Sequence, residues 1–153
     1  MPTNPELEFM FEVCAELGTP LDIGQHSLGR RRIIPIGGGT FGGPKIRGRV
    51  LPGGADWQLI RPDGLTEIDA RYTLETDGGE LIYVRNCGIR HGSPDVISRL
   101  NAGESVDPSL YYFRTAPSFE TASADYAWLM RFIFVCSGER YPREVRLRFW
   151  RVL

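Results

Sequence analysis

Three side chains in or just beyond β-like runs of this sequence have the chemistry to hold or transform a small molecule: Asp56, Arg114 and Glu120. A guanidinium can fork onto a carboxylate or phosphate, and a partly buried carboxyl can give or take a proton. Around them stand Trp57, Arg71, Tyr83 and Trp128, so the candidate ligand-binding set is Asp56, Trp57, Arg71, Tyr83, Arg114, Glu120 and Trp128. Ligand pockets are mostly apolar and aromatic with a few convergent polar groups, and this set has that composition. Asp56 and Glu120 are the candidate acids or bases. Each residue alone also has an ordinary reading, because aromatics in β runs are usually core and strand arginines usually face water.

Other chemistries find little support. The two histidines, His26 and His91, stand far apart, and Cys14, Cys87 and Cys136 show no paired spacing. No metal site is expected, since zinc wants several His, Cys or carboxylate ligands at close spacing. An odd set of scattered cysteines reads as reduced thiols in a cytosolic protein. Gly37, Gly39 and Gly42 match GxGxxG, but Gly43-Pro44 and the β-like Ile46–Leu51 follow, where a dinucleotide site requires a helix. A glycine-rich bend with close backbone approach is the better account. No cofactor is implied.

With 18 basic and 19 acidic residues the formal net charge is -1, which gives no global attraction to nucleic acid or an anionic membrane. No run approaches the ~18 apolar residues of a membrane span. A cytoplasmic protein of one domain, 1–153, is expected.

The candidates must be positioned by strands. Asp56–Arg61, Leu65–Thr76 and Glu80–Arg85 are β-like runs separated by Arg61-Pro62-Asp63-Gly64 and Asp77-Gly78-Gly79. Proline presets φ for a turn and glycine supplies φ > 0, so the chain reverses twice into an antiparallel meander. Within it Ile68, Ala70, Tyr72 and Leu74 share one face, and Glu67, Asp69, Arg71 and Thr73 the other. Leu7–Leu17 alternates as a strand, with a short helix as its rival. Asp22–Leu28 reads as a polar connector and Arg31–Ile36 as a short strand. Asn86–Pro108 reads as a long irregular excursion holding one short helix, Pro94–Asn101, with proline in its first turn. Leu110–Ala116, Tyr126–Ser137 and Glu144–Leu153 complete the strands. Abundant turns, from 18 glycines and 11 prolines, favour an all-β fold.

The phrases GGTFGGP, VLPGGADWQLIRPDG, DARYTLETDGG, LIYVRNCG, YYFRTAPSFET and YAWL together resemble the UPF0311 or DUF3237 family of uncharacterised proteins, from about Leu7 to Val152. The resemblance implies a single antiparallel β-barrel or strongly curled sheet, calycin-like in outline, with one short helix. Met130 departs from the pattern, which usually has Asn after Trp-Leu, so a polar contact made there would be lost. Two main function classes follow. One is a small-molecule-binding barrel for an acidic or phenolic ligand, and the other a cofactor-independent isomerase, cyclase or hydrolase using acid–base catalysis. A structural or homo-oligomerisation domain is a third. In the first two, Asp56, Arg71, Tyr83, Arg114, Glu120 and Trp128 share one cavity, with Asn86–Pro108 across its mouth.

Overall fold

A computed structural model of the chain describes residues 3–153. The strands are β1 (Leu7–Leu17), β2 (Leu21–His26), β3 (Gly29–Gly42), β4 (Arg47–Val50), β5 (Gly54–Ile60), β6 (Thr66–Thr76), β7 (Leu81–Gly92), β8 (Tyr111–Glu120), β9 (Phe134–Arg140) and β10 (Glu144–Val152). All pair antiparallel, in the order β1-β10-β9-β8-β7-β6-β4-β3, and β1 pairs again with β3 to close the ring. β5 also bridges β3 and β6, one barrel position being shared end to end by β4 and β5. The result is a closed eight-position antiparallel barrel, with β2 attached outside to the first half of β3.

The strands form because the sequence alternates. On β6, Thr66, Ile68, Ala70, Tyr72, Leu74 and Thr76 are buried, while Glu67, Asp69, Arg71, Thr73 and Glu75 face outward. β8 alternates as strictly, with Tyr111, Phe113, Thr115, Pro117 and Phe119 inside. A period of two sends one set into the barrel, and the outer set forms cross-strand ion pairs such as Arg49–Glu75 and Arg148–Glu12.

Several elements differ from the sequence expectation. β7 does not stop at Arg85 but runs unbroken to Gly92 beside β6 and β8, so the irregular excursion begins only at Ser93. The expected connector Asp22–Leu28 contains β2, a hairpin arm held by Arg30 bonded to Asp22. The expected strand Tyr126–Ser137 begins instead with a 3-10 turn at Ala127–Met130, and its strand starts at Phe134. Cross-strand partners supply what glycine and polar residues lack in strand propensity. The glycine stretch is not a bend between two strands: it lies inside one 14-residue β3, where the strand exchanges its β2 and β5 neighbours for β1 and β4. The register against β1 shifts between Glu16 and Leu17. No helix follows, so no N-terminal amides are offered to a phosphate.

The helix α1 (Pro94–Asn101) forms where expected. The Ser93 hydroxyl accepts from the Val96 amide at 3.3 Å, Pro94 occupies the first turn, and Val96, Ile97 and Leu100 are buried against the barrel end. Ser93→Ala should weaken the helix by about 0.5–2 kcal/mol. The measurement is amide hydrogen exchange: residues 94–101 should exchange faster while the barrel strands keep their protection.

Candidate functional site

The barrel interior has two unlike halves. At the end where β1 begins and β10 finishes it is a plug of rings. Phe11 stacks on Phe149 at 4.6 Å, and Phe119 meets Phe134 edge-on at 5.0 Å. Phe11 and Phe41 add a further edge contact at 5.9 Å. Leu129 seals this floor. Aromatic pairs in these geometries add to the burial of their area.

The other half, beneath α1, sets a cluster of polar side chains into an otherwise apolar wall that includes Leu17, Ile34, Ile36, Ile68 and Leu147. Asp56 and Gln58 point inward from β5, Tyr72 from β6, Asn86 and Arg90 from β7, Thr115 from β8 and Arg140 from β9, around a cavity of about 30 Å³. Such a space holds about one water-sized sphere. Gln58 Nε2 donates to Asp56 Oδ2 at 2.8 Å, and the Asp69 amide donates to Asp56 Oδ1 at 3.0 Å. Arg90 Nη2 reaches Asn101 Oδ1 at 3.4 Å, and its guanidinium lies 5.6 Å from the centre of the Phe113 ring. Arg140 donates to the Tyr141 carbonyl, while its own amide donates to the Tyr111 hydroxyl at 2.9 Å.

Much hydrogen-bonding capacity here is unused. Gln58 Oε1, Thr66 Oγ1, Tyr72 Oη, Asn86 Oδ1, Arg90 Nε and Thr115 Oγ1 are buried without a partner. Among the described residues, neither Arg90 nor Arg140 lies within ion-pair distance of a carboxylate. The electrostatics follow from this. Burial, then repulsion from Arg140, pushes the Arg90 guanidinium down to about 10. Burial raises the Asp56 carboxyl above its ordinary value, against the hydrogen bonds from Gln58 and the Asp69 amide and the pull of Arg90. The Tyr72 phenol is pushed well up, and the Cys136 thiol up to about 11, both chiefly by burial. Cys136 is thus a poor nucleophile.

Of the expected set, only Asp56 lines this cavity. Trp57 and Arg71 face outward across β5 and β6, the guanidinium 5.9 Å from the indole and bridged to Asp69 at 3.5 Å. Tyr83 and Glu120 are register partners on the outer faces of β7 and β8. Arg114 is exposed, lying over the Tyr112 ring. Trp128 sits by the aromatic floor, 6.4 Å from Phe134, with Arg151 over its face. The expectation of one shared cavity is corrected accordingly: pleat parity sends Arg71, Tyr83, Arg114 and Glu120 out of the barrel. Met130 is exposed on the floor turn, away from the polar half, so its departure from the Asn pattern removes no contact there. Gln58, Tyr72, Asn86, Arg90 and Arg140 fill the interior places instead.

Fold and interior together define a closed barrel, half aromatic plug and half polar chamber. Residues 5–152 match the family described as protein of unknown function (DUF3237), and the chain belongs to that family. A UPF0311 protein of Rhodopseudomonas palustris (strain TIE-1) is 45% identical over 153 residues, 100% of both chains. The crystal structure of a conserved protein of unknown function from Rhodopseudomonas palustris superposes with a TM-score of 0.94 at 44% identity, covering 100% of each chain. A beta-barrel like protein of Acinetobacter baumannii superposes at 0.88 with 41% identity, over 100% of this chain and 99% of that one. More distant is a hydroalkoxylation enzyme of Penicillium herquei, 26% identical over 129 residues, 84% of this chain and 70% of the other. The crystal structure of an enzyme from that organism has a TM-score of 0.75 at 23% identity, a likeness of fold. Among the described residues no helix is long and apolar enough to cross a membrane.

Proposed function

We propose that this chain is a small-molecule-binding barrel whose polar chamber receives the acidic or phenolic group of its ligand. The observation that carries the reading is the convergence of unpartnered buried polar atoms with two arginines that, among the described residues, have no carboxylate within ion-pair distance. A buried polar group left unpaired costs about 1–3 kcal/mol, and a buried charge more. An anionic oxygen placed among Arg90, Arg140, Tyr72 and Asn86 would relieve several of these costs at once. The decisive experiment is native mass spectrometry of the protein purified from its own source, where a retained acidic or phenolic ligand is expected. A ligand-free mass, together with unmoved Asn86 and Arg90 NMR signals when aryl acids are added, would refute the reading.

A second reading, cofactor-independent acid–base catalysis, is favoured by Asp56 itself and by the hydroalkoxylation activity of the Penicillium herquei relative. Adding an O–H across an alkene sends a proton to one carbon and forms a carbon–oxygen bond at the other. A carboxyl at Asp56 could deliver that proton and, as the carboxylate, recover one from the attacking hydroxyl. The sign of its titration is definite. Burial favours the neutral carboxyl, so folded Asp56 binds its proton to higher pH than the unfolded chain does. Its contribution to stability is lost as pH rises through that raised value. Carbon-13 NMR of the Asp56 carboxyl should give a midpoint above the usual value of about 3.9, with the signal absent in Asp56→Asn. A midpoint below that value would remove the proton donor.

A further inference from the structure

The polar chamber is too small for a ligand of ordinary size, yet a far larger space opens directly above it. A groove of about 810 Å³ runs between the β2–β3 hairpin, the β5–β6 turn and α1. Small-molecule sites typically occupy about 300–1,000 Å³, so the groove has the capacity that the chamber lacks. Its walls pair apolar surface from Ile60, Pro62, Pro94 and Ile97 with polar surface from Arg32 and Ser98, and its outer rim carries the carboxylates Asp22 and Asp63.

Groove and chamber meet through two residues. Asn101 lines the groove and accepts from Arg90, which lines the chamber. Arg32, half-buried on β3, also lines the groove, and its charge acts on both Arg90 and Arg140. The other groove guanidiniums, Arg30 and Arg61, are bridged to Asp22 and Glu67. Among the described residues Arg32 has no carboxylate within ion-pair distance. Arg32 in the groove and Arg90 and Arg140 in the chamber thus place positive charge on both sides of the junction, with Asp56 as the chamber's carboxylate.

We propose that the groove is a second subsite, and that the ligand is an extended aryl acid or phenol. Its ring body lies between Pro62 and the Pro94–Ile97 face of α1, and its anionic oxygen passes Arg32 to lie beside Arg90 in the chamber. Rings suit the proline and isoleucine surface, and the anion meets guanidiniums that, among the described residues, have no carboxylate at ion-pair distance. The inference rests on the binding function proposed above and adds the shape of the ligand and the residues that select it. A compact acid would fill only the head position and forgo the apolar contact of the groove.

The test uses three probes: naphthalene-2-carboxylate, its neutral alcohol naphthalene-2-methanol, and acetate. Each is titrated into the nitrogen-15-labelled protein, into Ser98→Trp, which fills the groove from the exposed side of α1, and into Arg32→Gln. Well-dispersed spectra establish that both variants fold. In the unaltered protein the naphthoate should bind at least about tenfold more tightly than acetate and move the Gly64 and Ser98 amides as well as the Asn86 and Arg90 signals. Ser98→Trp should weaken the naphthoate about tenfold or more and leave acetate unchanged. Arg32→Gln should weaken the naphthoate much more than the alcohol. If acetate binds as tightly as the naphthoate and only the chamber signals move, the groove proposal falls while the chamber remains. Naphthoate affinity indifferent to Ser98→Trp also overturns it. If no probe moves the chamber signals, both proposals fall.

Discussion

Arg90→Met is expected to stabilise this protein by about 1–4 kcal/mol while weakening naphthalene-2-carboxylate at least about tenfold. Arg90 is 2% exposed, carries a partnerless Nε, and shares the barrel with a second guanidinium rather than with an ion-pair partner. Its depressed proton affinity means that burying the still-protonated guanidinium weighs against folding throughout the neutral range. Met has similar reach and no charge to desolvate, so the transfer cost vanishes and only the Asn101 hydrogen bond and the Phe113 ring contact are lost. Opposite changes in stability and affinity mark a residue kept for function. Denaturant unfolding and a naphthoate titration measure the two effects. A variant destabilised by more than about 1 kcal/mol would make Arg90 a structural residue instead.

Gly39→Val should cost about 3–5 kcal/mol, at the upper end for a single substitution. A Cβ at Gly39 would stand 2.0 Å from the Cys14 carbonyl oxygen, and the residue sits at φ +133. The neighbouring strand cannot yield, because β1 is paired along both edges, to β3 and to β10. Gly37, two residues away, has nothing within 4 Å of a built Cβ and no positive φ, so Gly37→Ala should stay within about 0.5 kcal/mol of the unaltered protein. Chemical unfolding of the pair checks both. Equal losses would mean that the whole stretch, rather than the one close approach, is intolerant.

The legible part of the sequence was local. The turns Arg61-Pro62-Asp63-Gly64 and Asp77-Gly78-Gly79, the face alternation of Ile68 to Leu74, and the proline-led helix at Pro94–Asn101 each arise from neighbouring residues, and each is found. Closure of the barrel was legible only through family resemblance, because pairing of Leu7 with Val152 leaves no local mark. The site was mostly missed through one boundary. With β7 taken to end at Arg85, Asn86 and Arg90 belonged to a loop, whereas the alternation Ile82, Val84, Asn86, Gly88, Arg90 continues inward along the strand. The usable signal was a polar residue in step with buried apolar ones, as in Phe134, Cys136, Gly138, Arg140 on β9 and in Asp56, Gln58 on β5. Arg114 and Glu120 attracted notice by their chemistry, but they stand one residue out of that step.

The pairing of β1 with β10 also governs the order in which the molecule can be made. β1 can pair early with β3 along one edge, but its other edge finds its partner only when Glu144–Val152 follows, and the Leu153 amide closes onto the Glu6 carbonyl at 2.9 Å. Until then β1 and β9 each offer an open edge, a template for pairing with another nascent chain. Local hairpins such as β6–β7 can form during synthesis, but the ring closes across almost the full length of the sequence, a separation that slows folding. Chains stalled before residue 144 would carry two unsatisfied edges at once, so the hazard of aggregation is concentrated in the interval before β10 is made.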